Sequence, residues 1–78
     1  MSFDYNKLRG KIREKCGTQE IFAKRLGISR TSLSQKLNNS NQFTQQEINN
    51  AAEILDIPLE QIPVYFFTLQ VQKTERAM

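Results

Sequence analysis

The sequence predicts an all-α domain of five helices over residues 1–64, followed by an extended C-terminal segment over residues 65–78. Three observations carry this reading. Apolar residues recur at helical spacing in four successive stretches up to Leu55. Each stretch is preceded by Asp, Thr or Ser, the residues that cap orphan N–H groups at a helix start. After Pro63 the period falls to two, as in a strand.

The elements follow in order. Asp4 is the expected N-cap of a first helix in which Tyr5, Leu8 and Ile12 share one face, and Gly17 is its expected end. Thr18 opens a second helix that buries Phe22, Ala23 and Leu26, and Gly27 breaks it. Ser29 caps a short third helix with Leu33 and Leu37 inward, closed by the polar loop Asn38-Asn39-Ser40-Asn41. Thr44-Gln-Gln-Glu47 reads as a capping box, with Phe43 before it and Ile48 after it as a hydrophobic staple. The fourth helix then buries Ile48, Ala51, Ala52 and Leu55. Pro58 suits the first turn of a fifth, very short helix running toward Ile62. Beyond it Phe67, Leu69 and Val71 alternate with Thr68, Gln70 and Gln72.

Composition narrows the function classes. The 78 residues allow one small domain, and no apolar run is long enough to span a membrane. The single Cys16 cannot form an intramolecular disulfide, and without His there is no Cys/His zinc site; no metal and no cofactor are expected. A lone thiol and no export signal predict the cytoplasm. An enzyme is disfavoured, since there is no catalytic pair with local support and no Gly-rich nucleotide loop. Charge is divided along the chain: residues 1–46 carry nine basic and three acidic side chains, residues 47–78 two and five. No acid occurs from Ile21 to Gln46, a one-sided field that attracts a polyanion.

The third helix carries the sharpest signal. Phe22, Ala23 and Leu26 bury the second helix, Gly27 supplies a positive-φ turn, and Ile28 and Leu33 lock the third helix against it. Helical geometry then gathers Arg30, Thr31, Ser34, Gln35 and Asn38 within an arc of about 140°. All can hydrogen-bond and none is acidic. Arg matches guanine, Gln matches adenine, and Ser or Thr reaches a base or a phosphate.

The stretch Thr18-Gln-Glu-Ile-Phe-Ala-Lys-Arg-Leu-Gly-Ile-Ser-Arg-Thr-Ser-Leu-Ser resembles the helix-turn-helix of the Cro and lambda-repressor family, and with its flanks the resemblance covers residues 4–62. Phe43-Thr-Gln-Gln-Glu-Ile and Tyr65-Phe-Phe resemble small Cro-like regulators of phages of Gram-positive hosts. The resemblance implies a transcriptional regulator that binds a double-stranded DNA operator through the major groove. It implies that Gln19 touches a phosphate, that Arg30, Thr31 and Gln35 read bases, with Ser34 a further candidate, and that Thr18, Asn38, Asn39 and Ser40 lie along the backbone, aided by Lys36. Three positions depart from the family pattern. The Cys16-Gly17-Thr18 link is one residue short, Lys36 stands where an apolar residue is usual, and Asn39 replaces a common Gly.

Two alternatives stay open at this stage. The same fold can serve as a protein-binding antirepressor or antitoxin module, with the apolar C-terminal segment as its contact. Phe67, Leu69 and Val71 can also pair with a second copy as a dimerisation strand, or the segment can fold back on its own core. Family members usually bind as two-fold dimers whose recognition helices lie about 34 Å apart, so a homodimer is expected.

Overall fold

The computed structural model describes residues 2–70, so Val71 and the remainder of the tail lie outside the described residues. Five α-helices follow one another: α1 Asn6–Cys16, α2 Gln19–Leu26, α3 Arg30–Leu37, α4 Gln45–Leu55 and α5 Ile62–Phe66, with a 3-10 turn Leu59–Gln61 before α5. The five-helix, all-α architecture is the expected one, but the fifth helix is displaced: the turn that Pro58 opens is 3-10, and α5 begins at Ile62.

Local chemistry sets most boundaries. The Thr18 and Ser29 hydroxyls accept the Ile21 and Ser32 N–H groups at 3.2 and 3.0 Å. The capping box of α4 is complete: Thr44 Oγ1 accepts from Glu47 N, and Glu47 Oε1 accepts from Thr44 N. Each such cap contributes about 1 kcal/mol. Gly27, at φ 83°, ends α2 in the left-handed region where a Cβ would be strained. Asp4 departs from expectation. Tyr5 occupies the N-cap position because its ring is drawn into the core, and the Asp4 carboxylate instead accepts the Asn6 N–H at 2.9 Å.

The core gathers one face from every helix. Leu8, Ile12, Phe22, Leu33, Leu55 and Phe66 are fully buried, with Tyr5, Ala23, Leu26, Leu37, Ala51 and Ile57 around them. Lys36 joins them at 8 % exposure. Its ammonium donates to the Gln42 carbonyl at 3.1 Å and lies 3.2 Å from Glu47 Oε1. That pair ties the back of α3 to the first turn of α4. It explains how the buried position tolerates Lys: the stem is buried and the charge is matched.

The C-terminal segment corrects the strand expectation. Tyr65 and Phe66 are helical, and Phe66 is buried while Phe67 is half-exposed, the reverse of the alternation expected from Phe67, Leu69 and Val71. Pro63 in the first turn of α5 preorganises that helix, which swings Phe66 onto Phe43 with ring centroids 5.3 Å apart. Among the described residues of the segment Leu69 pairs, in an antiparallel bridge to Phe3, flanked by Asp4 N donating to Thr68 O and Gln70 N donating to Ser2 O. The segment through Gln70 therefore folds back on its own chain.

Asn39 supplies the other side of that bridge. It sits at φ 67°, and its side-chain amide accepts the Phe3 N–H at 2.9 Å and donates to the Phe3 carbonyl at 3.0 Å. Phe3 is held as a strand residue between a backbone neighbour and a side chain that imitates one.

Two outcomes follow for stability. Burial alone would raise the Glu47 carboxyl, but the Thr44 backbone N–H and the Lys36 ammonium outweigh it and hold it below the usual glutamate value. A depressed folded-state value means the stabilisation is present above about 4.3, the unfolded carboxylate range, and is lost as pH falls through the lower folded value. Lys36→Ala should cost about 3 kcal/mol at neutral pH. Glu47→Gln should abolish the acid-dependent part, so its urea midpoint approaches that of the parent as pH falls. At Asn39, Ala should cost about 2 kcal/mol and Gly about 1 kcal/mol, since both lose the clasp and only Gly relieves the backbone. Denaturant titration ranks the two.

Candidate functional site

The outward face of α3 is assembled by what lies behind it. Leu33 and Leu37 anchor the helix in the core, Ser29 caps its start, and Lys36 holds its back to α4. Its C-terminal end is fixed by Arg9 of α1, whose guanidinium donates to the Leu37 carbonyl at 3.1 Å and to Asn38 Oδ1 at 3.2 Å. A cation at that end also complements the helix dipole. What remains outside is a shallow depression of about 280 Å³ lined by Arg30, Thr31, Ser34, Gln35, Asn38 and Ser40. No acidic side chain lines it. Arg30, Thr31, Gln35, Asn38 and Ser40 are exposed, and Ser34 is half-buried at its floor.

Arg30 also borders a second cleft, of about 300 Å³, formed where α1 meets the start of α2 and lined in addition by Arg9, Arg13, Thr18 and Gln19. It too has no acid among its lining residues. Thr18 and Gln19 thus adjoin the α3 face through Arg30. Two residues do not join the face. Lys36 is buried, with its charge matched by Glu47, and the Asn39 amide is occupied by Phe3.

Sequence reasoning missed two positioning residues. Arg9 reads as one of many solvated cations of α1, and nothing in its spacing marks it as the tie to α3. Asn41 donates to Gln35 Oε1 at 2.9 Å, which orients the Gln35 amide and leaves its NH₂ group outward. The loop also donates backbone N–H groups of Ser40 and Asn41 to the Gln35 carbonyl. A polar loop predicts turns, but it carries no signal for which side chain it will hold.

A different surface lies at the C-terminal end. Among the described residues, four of the five exposed large apolar side chains, Leu59, Val64, Phe67 and Leu69, fall within residues 59–69; Ile21 is the fifth. Beside them an aromatic groove of about 180 Å³ is lined by Phe3, Tyr5, Gln42, Phe43, Ile48, Phe66 and Phe67. Its rings meet edge to face, Phe67 on Phe3 at 5.9 Å and Tyr5 on Phe43 at 5.5 Å. Of the three expected dimerisation residues, Phe67 therefore borders this groove and Leu69 pairs with Phe3.

Among the described residues no helix is long and apolar enough to cross a membrane. No group of three His, Cys, Asp or Glu side chains among them could hold a metal ion.

Solved structures include a close relative of the chain. The chain is similar to the modulator of repression (MOR) of the temperate bacteriophage TP901-1 from Lactococcus lactis, known from its solution structure. Identity is 44 %, the match covers 92 % of this chain and 97 % of that one, and the TM-score is 0.76. No curated protein matches the chain. Residues 1–69 match the family described as "Protein of unknown function (DUF739)". With the match running from the first residue to Leu69, through all five helices and the Phe3–Leu69 bridge, the chain belongs to the DUF739 family.

Proposed function

We propose that this chain is a phage-type regulator of repression that acts by gripping a repressor protein. The observation that carries the reading is the near full-length likeness, at 44 % identity, to a protein whose name is modulator of repression. The surface that suits a protein partner is the aromatic groove with its exposed rim, Phe67 and Leu69. Half-exposed aromatic side chains beside a preformed pocket are the usual anchors of protein interfaces. Protein binding is also the alternative that the sequence leaves open, with the C-terminal apolar segment as its contact.

A specific observation favours a second activity on the same chain. The α3 face is polar, acid-free and braced by Arg9, Lys36 and Asn41 from behind. Such a face fits the major groove of a DNA operator, with Arg30, Thr31 and Gln35 toward base edges, Ser34 beside them, and Thr18, Gln19, Asn38 and Ser40 along the backbone. Both activities serve one regulator, since the groove and the α3 face have different lining residues.

The two are tested separately. Operator binding by the repressor encoded in the same genome should change when this chain is added, and Phe67→Ser should weaken the complex at least about thirtyfold, the effect of a hot-spot aromatic. A repressor whose operator affinity and sedimentation are untouched by the chain overturns the first reading. For the second, affinity for duplex DNA should fall with salt, with a log–log slope of about −0.9 per phosphate neutralised. Gln35→Ala should cost about 1–3 kcal/mol on a selected operator and little on random duplex. A flat salt response, or equal losses on both duplexes, overturns it.

A further inference from the structure

Leu59 and Ile21, two of the exposed apolar side chains, stand in surroundings of opposite charge. The first is the groove where the end of α4 meets the 3-10 turn, about 330 Å³, lined by Asn49, Ala52, Glu53, Ile57, Leu59 and Ile62. Leu59 stands over it at 79 % exposure, the most exposed large apolar side chain among the described residues. Glu53 lines the groove and Glu60 follows Leu59; neither forms a salt bridge among the described residues. The chain has no basic residue between Lys36 and Lys73 to neutralise them in sequence. Asp56 forms an exposed pair with Lys15 at 3.4 Å.

The second site is the outer face of α2. Ile21 is 46 % exposed there. Lys24 and Arg25 follow three and four residues later, so the three side chains share one helical face. Both cations are exposed, and neither forms a salt bridge among the described residues. Each site thus sets an uncovered apolar side chain beside two like charges, acidic at Leu59 and basic at Ile21, with Glu20 at the edge of the second.

We propose that the Leu59 groove is an interface between copies of this chain, taking the α2 face of a second copy with Ile21 against Leu59 and with Lys24 and Arg25 toward Glu53 and Glu60. The occupant is a second copy because the chain itself displays the complement in both apolar and charged parts. The inference is independent of the repressor-binding reading, which rests on Phe67 and the aromatic groove. The contact is small and its ion pairs are exposed, so the association is weak, concentration-dependent and screened by salt. It differs from pairing through the C-terminal segment, whose inner edge is already bonded to residues 2–4.

Sedimentation of the full chain, at rising concentration and at low and high salt, tests this directly. The average mass should rise with concentration at low salt and return to monomer at high salt. Leu59→Ser should reduce association about tenfold while the helical circular dichroism stays unchanged, since that side chain is outside the core. Two charge-reversed forms give the decisive arm: Glu53→Lys with Glu60→Lys, and Lys24→Glu with Arg25→Glu. Each alone should be monomeric, and an equimolar mixture should associate, because each now carries the complement of the other. A parent chain that stays monomeric at every concentration overturns the proposal. So does a parent that associates while Leu59→Ser is unaffected or the mixture of reversed forms stays monomeric, since the contact then lies elsewhere.

Discussion

The placement of α3 depends on one charge that is not in water. Lys36 is buried on the inner side of that helix, where an unmatched ammonium would cost several kcal/mol. Its partner, Glu47 Oε1, is the same oxygen that accepts the Thr44 N–H in the capping box of α4. The start of α4, the Gln42 carbonyl and the back of α3 are thereby tied to one point. Shifting α3 would separate Lys36 from Glu47 or strip the cap from α4, and both are penalised together. The polar outer face of α3 can remain uncommitted because the inner face is so fully committed.

The second organising feature is Phe3, a residue far from α3 in sequence. Asn39 grips its backbone from one side, residues 68–70 from the other, and its ring meets Phe67 edge to face and Tyr5 at a tilt. Edge-to-face contacts continue through Tyr5 and Phe43 to Phe66. The loop that closes α3 is therefore held by the same strap that forms one wall of the aromatic groove. Two candidate surfaces with different lining residues share a support, so any repacking of Phe3 is felt at Asn39 and at the rim of the groove together.

Charge separation complements this arrangement. The basic side chains are concentrated on α1, α2 and α3, and the acids of residues 47–70 lie on α4, at its C-cap and on the 3-10 turn. The α3 depression and the neighbouring cleft have no acid in their walls, while the Leu59 groove has no base in its own. A small domain with few residues to spare can in this way present surfaces that select partners of different chemistry without separate domains for each.

Much of this was legible in the residues themselves. Helix starts at Thr18, Ser29 and Thr44, the turn at Gly27, the buried faces of α1 to α4 and the polar arc of α3 all follow from chemistry within three or four positions along the chain. Asn39 could be read as a substitute for Gly in the left-handed region, because that preference is also local. The roles that escaped reading depend on partners distant in sequence. Arg9 looks like its solvated neighbours until α1 is laid against the end of α3. Lys36 looks like a phosphate ligand until Glu47 is brought behind it, eleven positions along the chain. The alternation after Pro63 is compatible with a strand, and only packing decides otherwise: the core gains a whole ring by burying Phe66, which a helical turn can deliver and an extended chain starting from the same point does not. The sequence by itself determined the elements and the character of the α3 face, because capping, turns and periodicity are short-range. The tertiary structure decided which charges are spent inside and which are left to act outside, because matching and burying a charge require side chains that meet only when the chain is folded.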